Sequence, residues 1–170
     1  DLGKPDHYLE AARATASETI GAVIAGTDKV IRAEHPDAVL ILGDTNSCLA
    51  AITARKNRVP VFHMEAGNRC FDFNVPEELN RRIVDHASDF NLCYTEHARR
   101  HLLAEGLPHR RIYVTGSPMG EVLAHFSARI DASTILAELK LEARKFVVAS
   151  FHREENVDNP RNLSAIVDAI

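Results

Sequence analysis

The 170-residue sequence predicts an α/β protein with a doubly wound, Rossmann-like parallel sheet. Three observations point there. Short continuous apolar runs, such as Val39-Leu40-Ile41-Leu42 and Phe146-Val147-Val148-Ala149, suit strands buried on both faces. Segments with apolar residues at helical spacing alternate with them, as in right-handed βαβ units. Polar residues gather just beyond the runs, at the strand ends where open α/β sheets bind ligands.

The opening residues read as a loop, and a helical stripe of Leu9, Ala12, Ala16, Ile20, Val23 and Val30 predicts a long helix over 8–34. His35-Pro36-Asp37 ends it, since proline disfavours helix in the residue before it. The run 38–43 is the first strand, with Asp44 at its carboxyl end. A helix over 45–56 follows, with Leu49, Ala50 and Ile52 inward, and 61–64 is the second strand. Beyond a polar loop, 77–87 reads as a helix, 89–94 as a strand and 95–105 as a helix that Thr95 can cap. Residues 111–116 make a further strand, and a helix runs from Ser117-Pro118 to about 125.

The pattern changes from 126 to 144, where Ser127, Asp131 and Ser133 interrupt the apolar runs around a short helix over 133–141. That stretch reads as an interdomain connection between a first domain, 1–125, and the start of a second α/β domain, 145–170. The second begins with a strand over 145–151 and continues with a helix from Asn159-Pro160. One strand and one helix bury no core of their own, so a longer protein, cut at both ends, is the expectation.

Twenty basic and 24 acidic residues give a net charge of −4, which suggests neither a nucleic-acid partner nor an acidic tail. No apolar run approaches the roughly 18 residues of a membrane span, so no membrane partner is expected. The three cysteines, Cys48, Cys70 and Cys93, lack Cys-x-x-Cys spacing and fit free thiols. With no leader pattern at the start, they lead to the expectation of a cytoplasmic protein. His97 and His101 have zincin spacing but lack the adjacent Glu and are flanked by Arg99 and Arg100, so no metal is expected. Neither a dinucleotide glycine motif nor a Walker lysine loop is present, and no cofactor is indicated.

The richest stretch is His63-Met64-Glu65-Ala66-Gly67-Asn68-Arg69-Cys70-Phe71-Asp72, followed by Pro76-Glu77-Glu78-Leu79-Asn80-Arg81. Together with Gly43-Asp44-Thr45 upstream and His152-Arg153-Glu154-Glu155-Asn156 downstream, it resembles, in order, the signatures of the non-hydrolysing UDP-N-acetylglucosamine 2-epimerases. The similarity runs through nearly the whole chain. It implies a two-domain GT-B-like epimerase fold, a UDP-sugar substrate, a homodimer and a place in surface polysaccharide synthesis.

Epimerisation needs groups that remove a proton from one face of a carbon and return one to the other. The sugar C2 hydrogen of a UDP-sugar has no neighbouring carbonyl to acidify it. The resemblance implies elimination instead: a base takes the C2 proton as UDP departs, and UDP adds back after protonation on the opposite face. It places the catalytic groups on Asp44, Glu65, Glu77 and His152, without assigning a carboxylate to either face. His152 and Arg153 would lie at a strand end of the second domain, with Glu154 beside them, where a cation stabilises the leaving diphosphate.

Arg69 and Arg81 either hold phosphate, orient the carboxylates, or form surface ion pairs. His63 either positions Glu65 or is a hydrogen-bonded core histidine. Gly67 is followed by Asn68-Arg69-Cys70 where the commonest motif has Leu-Arg-Thr, which resembles the branch acting on modified UDP-sugars, the L-fucosamine precursors and diacetamido-uronic acids. The alternatives are a GT-B-type glycosyltransferase and a non-catalytic UDP-sugar-binding domain.

Overall fold

The computed structural model describes residues 3–151 and 154–170. The chain divides into two compact units, 1–120 and 121–170. The first is built on a four-stranded parallel sheet in the order β1 (Val39–Leu42), β2 (Val61–Met64), β3 (Phe90–Cys93), β4 (Ile112–Val114). Register pairs Leu42 with Met64 and Met64 with Leu92, so the carboxyl ends of the first three strands stand side by side.

Helix α1 (Ala16–Glu34) precedes the sheet and starts later than the sequence stripe predicts. The cause is a capping box: the Thr15 hydroxyl accepts from the Glu18 N–H, and the Glu18 carboxylate accepts from the Thr15 N–H. Residues 8–14 consequently stay outside the helix. After β1, a 3-10 turn (Asn46–Leu49) leads into α2 (Ala50–Lys56). Helix α3 (Pro76–Ala87) opens with proline at its first position and with Glu77 and Glu78 at the positive end of its dipole. Helix α4 (Glu96–Ala104) is capped by Thr95, whose hydroxyl accepts from the Ala98 N–H.

One face of the sheet carries the core. Ile41 and Val61 pack with Ile31, Leu49, Ala51, Ala54 and Val84, while Cys93 and Ile112 pack with Ala66, Ala98 and Leu102. Both clusters lie between strands and helices, which anchors the strand ends and the loops they launch. Burial pushes the Cys48 and Cys93 thiols up to about 12, with Asp44 and Asp85 adding to the shift at Cys48 and Asp85 at Cys93, so both are inert core groups.

The second unit departs from expectation. Helix α5 (Met119–Asp131) runs on where a break was expected near 125, and α6 (Ile135–Glu138) is a single turn. Residues 145–151 form no strand: Val147 and Val148 are 91% and 82% exposed. A parallel strand exists only through hydrogen bonds to a neighbour, and no other strand stands among the described residues of this unit. Helices α7 (Glu154–Val157) and α8 (Pro160–Ala169) complete it, the latter capped by Asn159, which accepts from the N–H groups of Arg161 and Asn162. No helix among the described residues is long and apolar enough to cross a membrane.

Candidate active site

Two consecutive strand ends break the same way. After β1 the chain turns at Gly43 with φ of 77°, and after β2 it turns at Glu65 with φ of 67° and Gly67 with φ of 81°. Glycine enters this left-handed region freely, but Glu65 pays roughly 1–2 kcal/mol for its Cβ there. The turn swings the Glu65 carboxylate toward β1, where Oε2 lies 3.8 Å from the position a Gly43 Cβ would occupy. Glu65 thus stands beside the residue preceding Asp44. The Asn68 side-chain amide donates to Glu65 Oε1 at 3.2 Å. Burial and the nearby Glu65 charge raise the Tyr94 hydroxyl above its ordinary value.

Asp44 is held from α3: Arg81 Nη2 lies 2.8 Å from its Oδ2, and Asp44 keeps 30% of its side chain exposed. Arg81 also approaches Glu78 at 3.5 Å. Glu77, one residue earlier, makes no hydrogen bond or ion pair with any described residue and is only partly exposed. Asp44, Glu65 and Glu77 therefore have distinct environments: one paired with a guanidinium, one bound by an amide, one unpartnered among the described residues.

His63 and Arg69 turn inward. His63 is buried, with Nδ1 2.7 Å from Asp85 Oδ1 and Nε2 3.0 Å from the Gly43 carbonyl oxygen. Of the two sequence readings, the hydrogen-bonded core histidine holds. The Arg69 guanidinium has no exposed surface and donates to Asp85 at 2.7 Å, to the Asn68 carbonyl at 2.7 Å and to both oxygens of Glu105 at 2.7 and 2.6 Å. Burial alone would ease its proton off, but the Glu105 and Asp85 carboxylates outweigh that and hold it more firmly cationic. With its donors so committed, Arg69 ties the Asp85 and Glu105 carboxylates together and presents no exposed donor.

Sequence reasoning missed three acids that organise this framework, Glu78 and Asp85 fully buried and Glu105 partly so. Glu78 accepts from the Cys70 N–H at 3.0 Å and from Arg82 at 2.9 and 2.8 Å. Burial pushes its carboxyl up, yet the Cys70 and Arg82 contacts prevail and leave it below the usual range. Asp85 gathers His63, Gly67 and Arg69. Glu105, just past α4, binds Arg69 and, at 3.2 Å, Arg82. The signal for two of these was present: residues 78, 81 and 85 share a helix face by their spacing, which marks charged residues turned toward the sheet.

His152 and Arg153 lie outside the described residues, and Glu154 opens α7. Among the described residues no cluster of His, Cys, Asp and Glu is arranged to hold a metal. His97 and His101 meet edge to face at 4.6 Å, and His101 donates from Nδ1 to the Gly67 carbonyl at 2.9 Å, another tie on the turn.

Comparison with known proteins finds the same fold elsewhere. The profile of the family described as UDP-N-acetylglucosamine 2-epimerase matches residues 1–170. UDP-2,3-diacetamido-2,3-dideoxy-D-glucuronate 2-epimerase of Pseudomonas aeruginosa is 37% identical over 172 residues, 99% of this chain and 48% of that protein. The structure of UDP-N-acetylglucosamine 2-epimerase from Rickettsia bellii superposes with a TM-score of 0.85 at 48% identity, over 98% of this chain and 46% of the other. That of Methanocaldococcus jannaschii UDP-GlcNAc 2-epimerase, in complex with UDP-GlcNAc and UDP, gives 0.83 at 34% identity, over 98% and 47%. The chain spans about half the length of these relatives.

Proposed function

Because this chain belongs to the UDP-N-acetylglucosamine 2-epimerase family, we propose that it supplies the acid/base half of an enzyme that inverts C2 of a UDP-linked acetamido sugar. The observation that carries the reading is the left-handed turn at Glu65, which brings its carboxylate beside the strand end bearing Asp44. Backbone strain of this kind persists where the surroundings over-determine it, and such places concentrate at functional sites.

In the proposed reaction a carboxylate of this cluster removes the C2 proton. The electron pair forms the C1–C2 double bond as the C1–O bond to UDP breaks, leaving a 2-acetamidoglucal. Protonation of C2 from the opposite face and return of UDP to C1 complete the inversion. Asp44 and Glu65, on neighbouring strand ends, and the unpartnered Glu77 are the candidates for the two proton transfers. Arg81 orients Asp44 through their ion pair. His152, Arg153 and Glu154 belong to the same proposal, as the groups that stabilise the departing diphosphate. The intact enzyme, in this reading, is a cytoplasmic homodimer serving surface polysaccharide synthesis.

The solved relative holding UDP-GlcNAc and UDP supports a UDP-sugar substrate. The identity to a diacetamido-glucuronate epimerase, with Asn68-Arg69-Cys70 after the glycine, supports a modified sugar as the second reading. The deciding experiment incubates the two-domain protein carrying this chain with each UDP-sugar in deuterated water and follows C2 by proton NMR. Deuterium at C2 with appearance of the C2 epimer is expected, and Glu65→Gln is expected to slow it by about 10²–10⁴-fold, the usual worth of a general acid or base. A free sugar or a glycoside as the product, or no exchange with any substrate, would refute the epimerase.

A further inference from the structure

Asp85 has no exposed side-chain surface, yet three donors from the end of β2 and the turn after it converge on it. Its Oδ1 faces His63 Nδ1 of β2 at 2.7 Å, while Oδ2 accepts from the Gly67 N–H at 3.2 Å and from Arg69 Nη1 at 2.7 Å. His63 extends the reach: its Nε2 lies 3.0 Å from the carbonyl oxygen of Gly43, the residue before Asp44. One carboxylate on α3 is therefore linked to the end of β1 and to the turn that carries Glu65.

We propose that Asp85 is a positioning residue that sets Asp44 and Glu65 relative to each other, through His63 on one side and the Gly67 N–H and Arg69 on the other. The proposal rests on the reading of those two carboxylates as the proton-transfer pair. Glu65 occupies a backbone region that any side chain resists. Its turn is tied to the sheet by the Ala66 N–H, which donates to the Leu92 carbonyl at 3.2 Å. On the α3 side the Asp85 carboxylate holds it at Gly67 and, two residues on, at Arg69. A buried ionic cluster is seldom the most stable filling of a core, since well-packed apolar side chains do as well or better. Fixing a strained turn at its working geometry is a task that apolar packing cannot perform. Misplacement of a reacting group by an ångström is enough to cost about 10²-fold in rate.

The test uses Asp85→Asn in the two-domain protein, assayed on the UDP-sugar that the unaltered protein turns over. Asparagine keeps the shape but removes the negative charge: with its amide N–H turned to a neutral His63, a single uncharged oxygen is left to hold the Gly67 N–H and Arg69, and bonds to a neutral acceptor are about half as strong as those to a carboxylate. Turnover is expected to fall by about 10²-fold while KM stays near its original value, because Asp85 does not meet the substrate. His63→Gln, which keeps a donor for the Gly43 carbonyl and drops the Asp85 contact, is expected to lower turnover as well. The double variant should be no slower than the slower single one, as for two residues acting through one linkage.

Hydrogen exchange at the Gly67 amide supplies a readout independent of activity, and it should accelerate in Asp85→Asn. A folded Asp85→Asn with unchanged turnover overturns the proposal, as does unchanged protection at Gly67. Should the unaltered protein epimerise nothing, the functional reading fails by itself, and the Gly67 exchange still decides whether Asp85 holds the turn.

Discussion

Gly67 is the glycine least open to substitution. Its φ of 81° already disfavours a side chain, and a Cβ would run into the Ala98 carbonyl oxygen, with the carbonyl carbon 2.8 Å away. Gly106 has a similar φ of 87° but nothing within 4 Å of its Cβ position. The pair separates strain from collision. Gly106→Ala is expected to cost about 1–2 kcal/mol, the left-handed penalty alone, whereas Gly67→Ala adds an overpacking cost of about 1–3 kcal/mol. Urea unfolding of both variants checks this, and equal losses would show that α4 yields to the new methyl. The motif glycine is therefore explained by the approach of α4 to the turn as much as by the turn itself.

At the scale of elements, α3 and the end of α4 act together through Arg69, Arg82 and Glu105. The hydrogen bonds from Arg69, reinforced by the charges of Arg69, Arg82 and His86, hold the Glu105 carboxyl below its ordinary 4.5, against burial, which pushes it up. A carboxyl whose value is lowered by folding adds stability above its unfolded value and loses it as pH falls through the folded one. Acidification from 4.5 downward should therefore lower the unfolding midpoint. Glu105→Gln should be less stable than the parent at neutral pH, with a gap that narrows in acid. A gap independent of pH in thermal scans would contradict the assignment. This network also marks where sequence reading stopped. The strands at 39–42, 61–64, 90–93 and 112–114, the Thr95 cap and the Asp44, Glu65 and Glu77 positions were all legible, because each depends on a local pattern. The burial of Arg69 was not, since the Glu105 that pairs with it lies 36 residues away. Nor was the failure of 145–151 to form a strand, because apolar β-branched residues specify a strand only where a partner edge exists.

For the molecule as a whole, the parallel sheet poses a problem that its own helices do not solve. With strands in the order β1 to β4 and right-handed crossovers, α2, α3 and α4 all fall on one face, the face of Ile41, Val61, Cys93 and Ile112. The alternate residues, Leu40, Leu42, Phe62, Met64, Phe90, Leu92 and Tyr113, share the other face by their register. Phe62 stacks on Phe90 at 4.8 Å and Tyr113 stands 6.3 Å from Phe90, giving a continuous apolar strip. Leu40, Leu42 and Tyr113 remain 64%, 65% and 50% exposed. Parallel sheets are normally covered on both faces, and an exposed apolar patch of this kind drives association. The chain of 170 residues produced alone should therefore bind a hydrophobic dye such as ANS and self-associate with rising concentration in sedimentation experiments. The longer protein carrying it should do neither through this face. Leu42→Lys together with Tyr113→Lys should reduce both signals in the isolated chain, because the charges interrupt the strip at β1 and β4 without entering the core. A dye-silent, monomeric isolated chain would mean that the face is closed by some rearrangement of these same residues. In that event the strip would not be a seat for further parts of the fold.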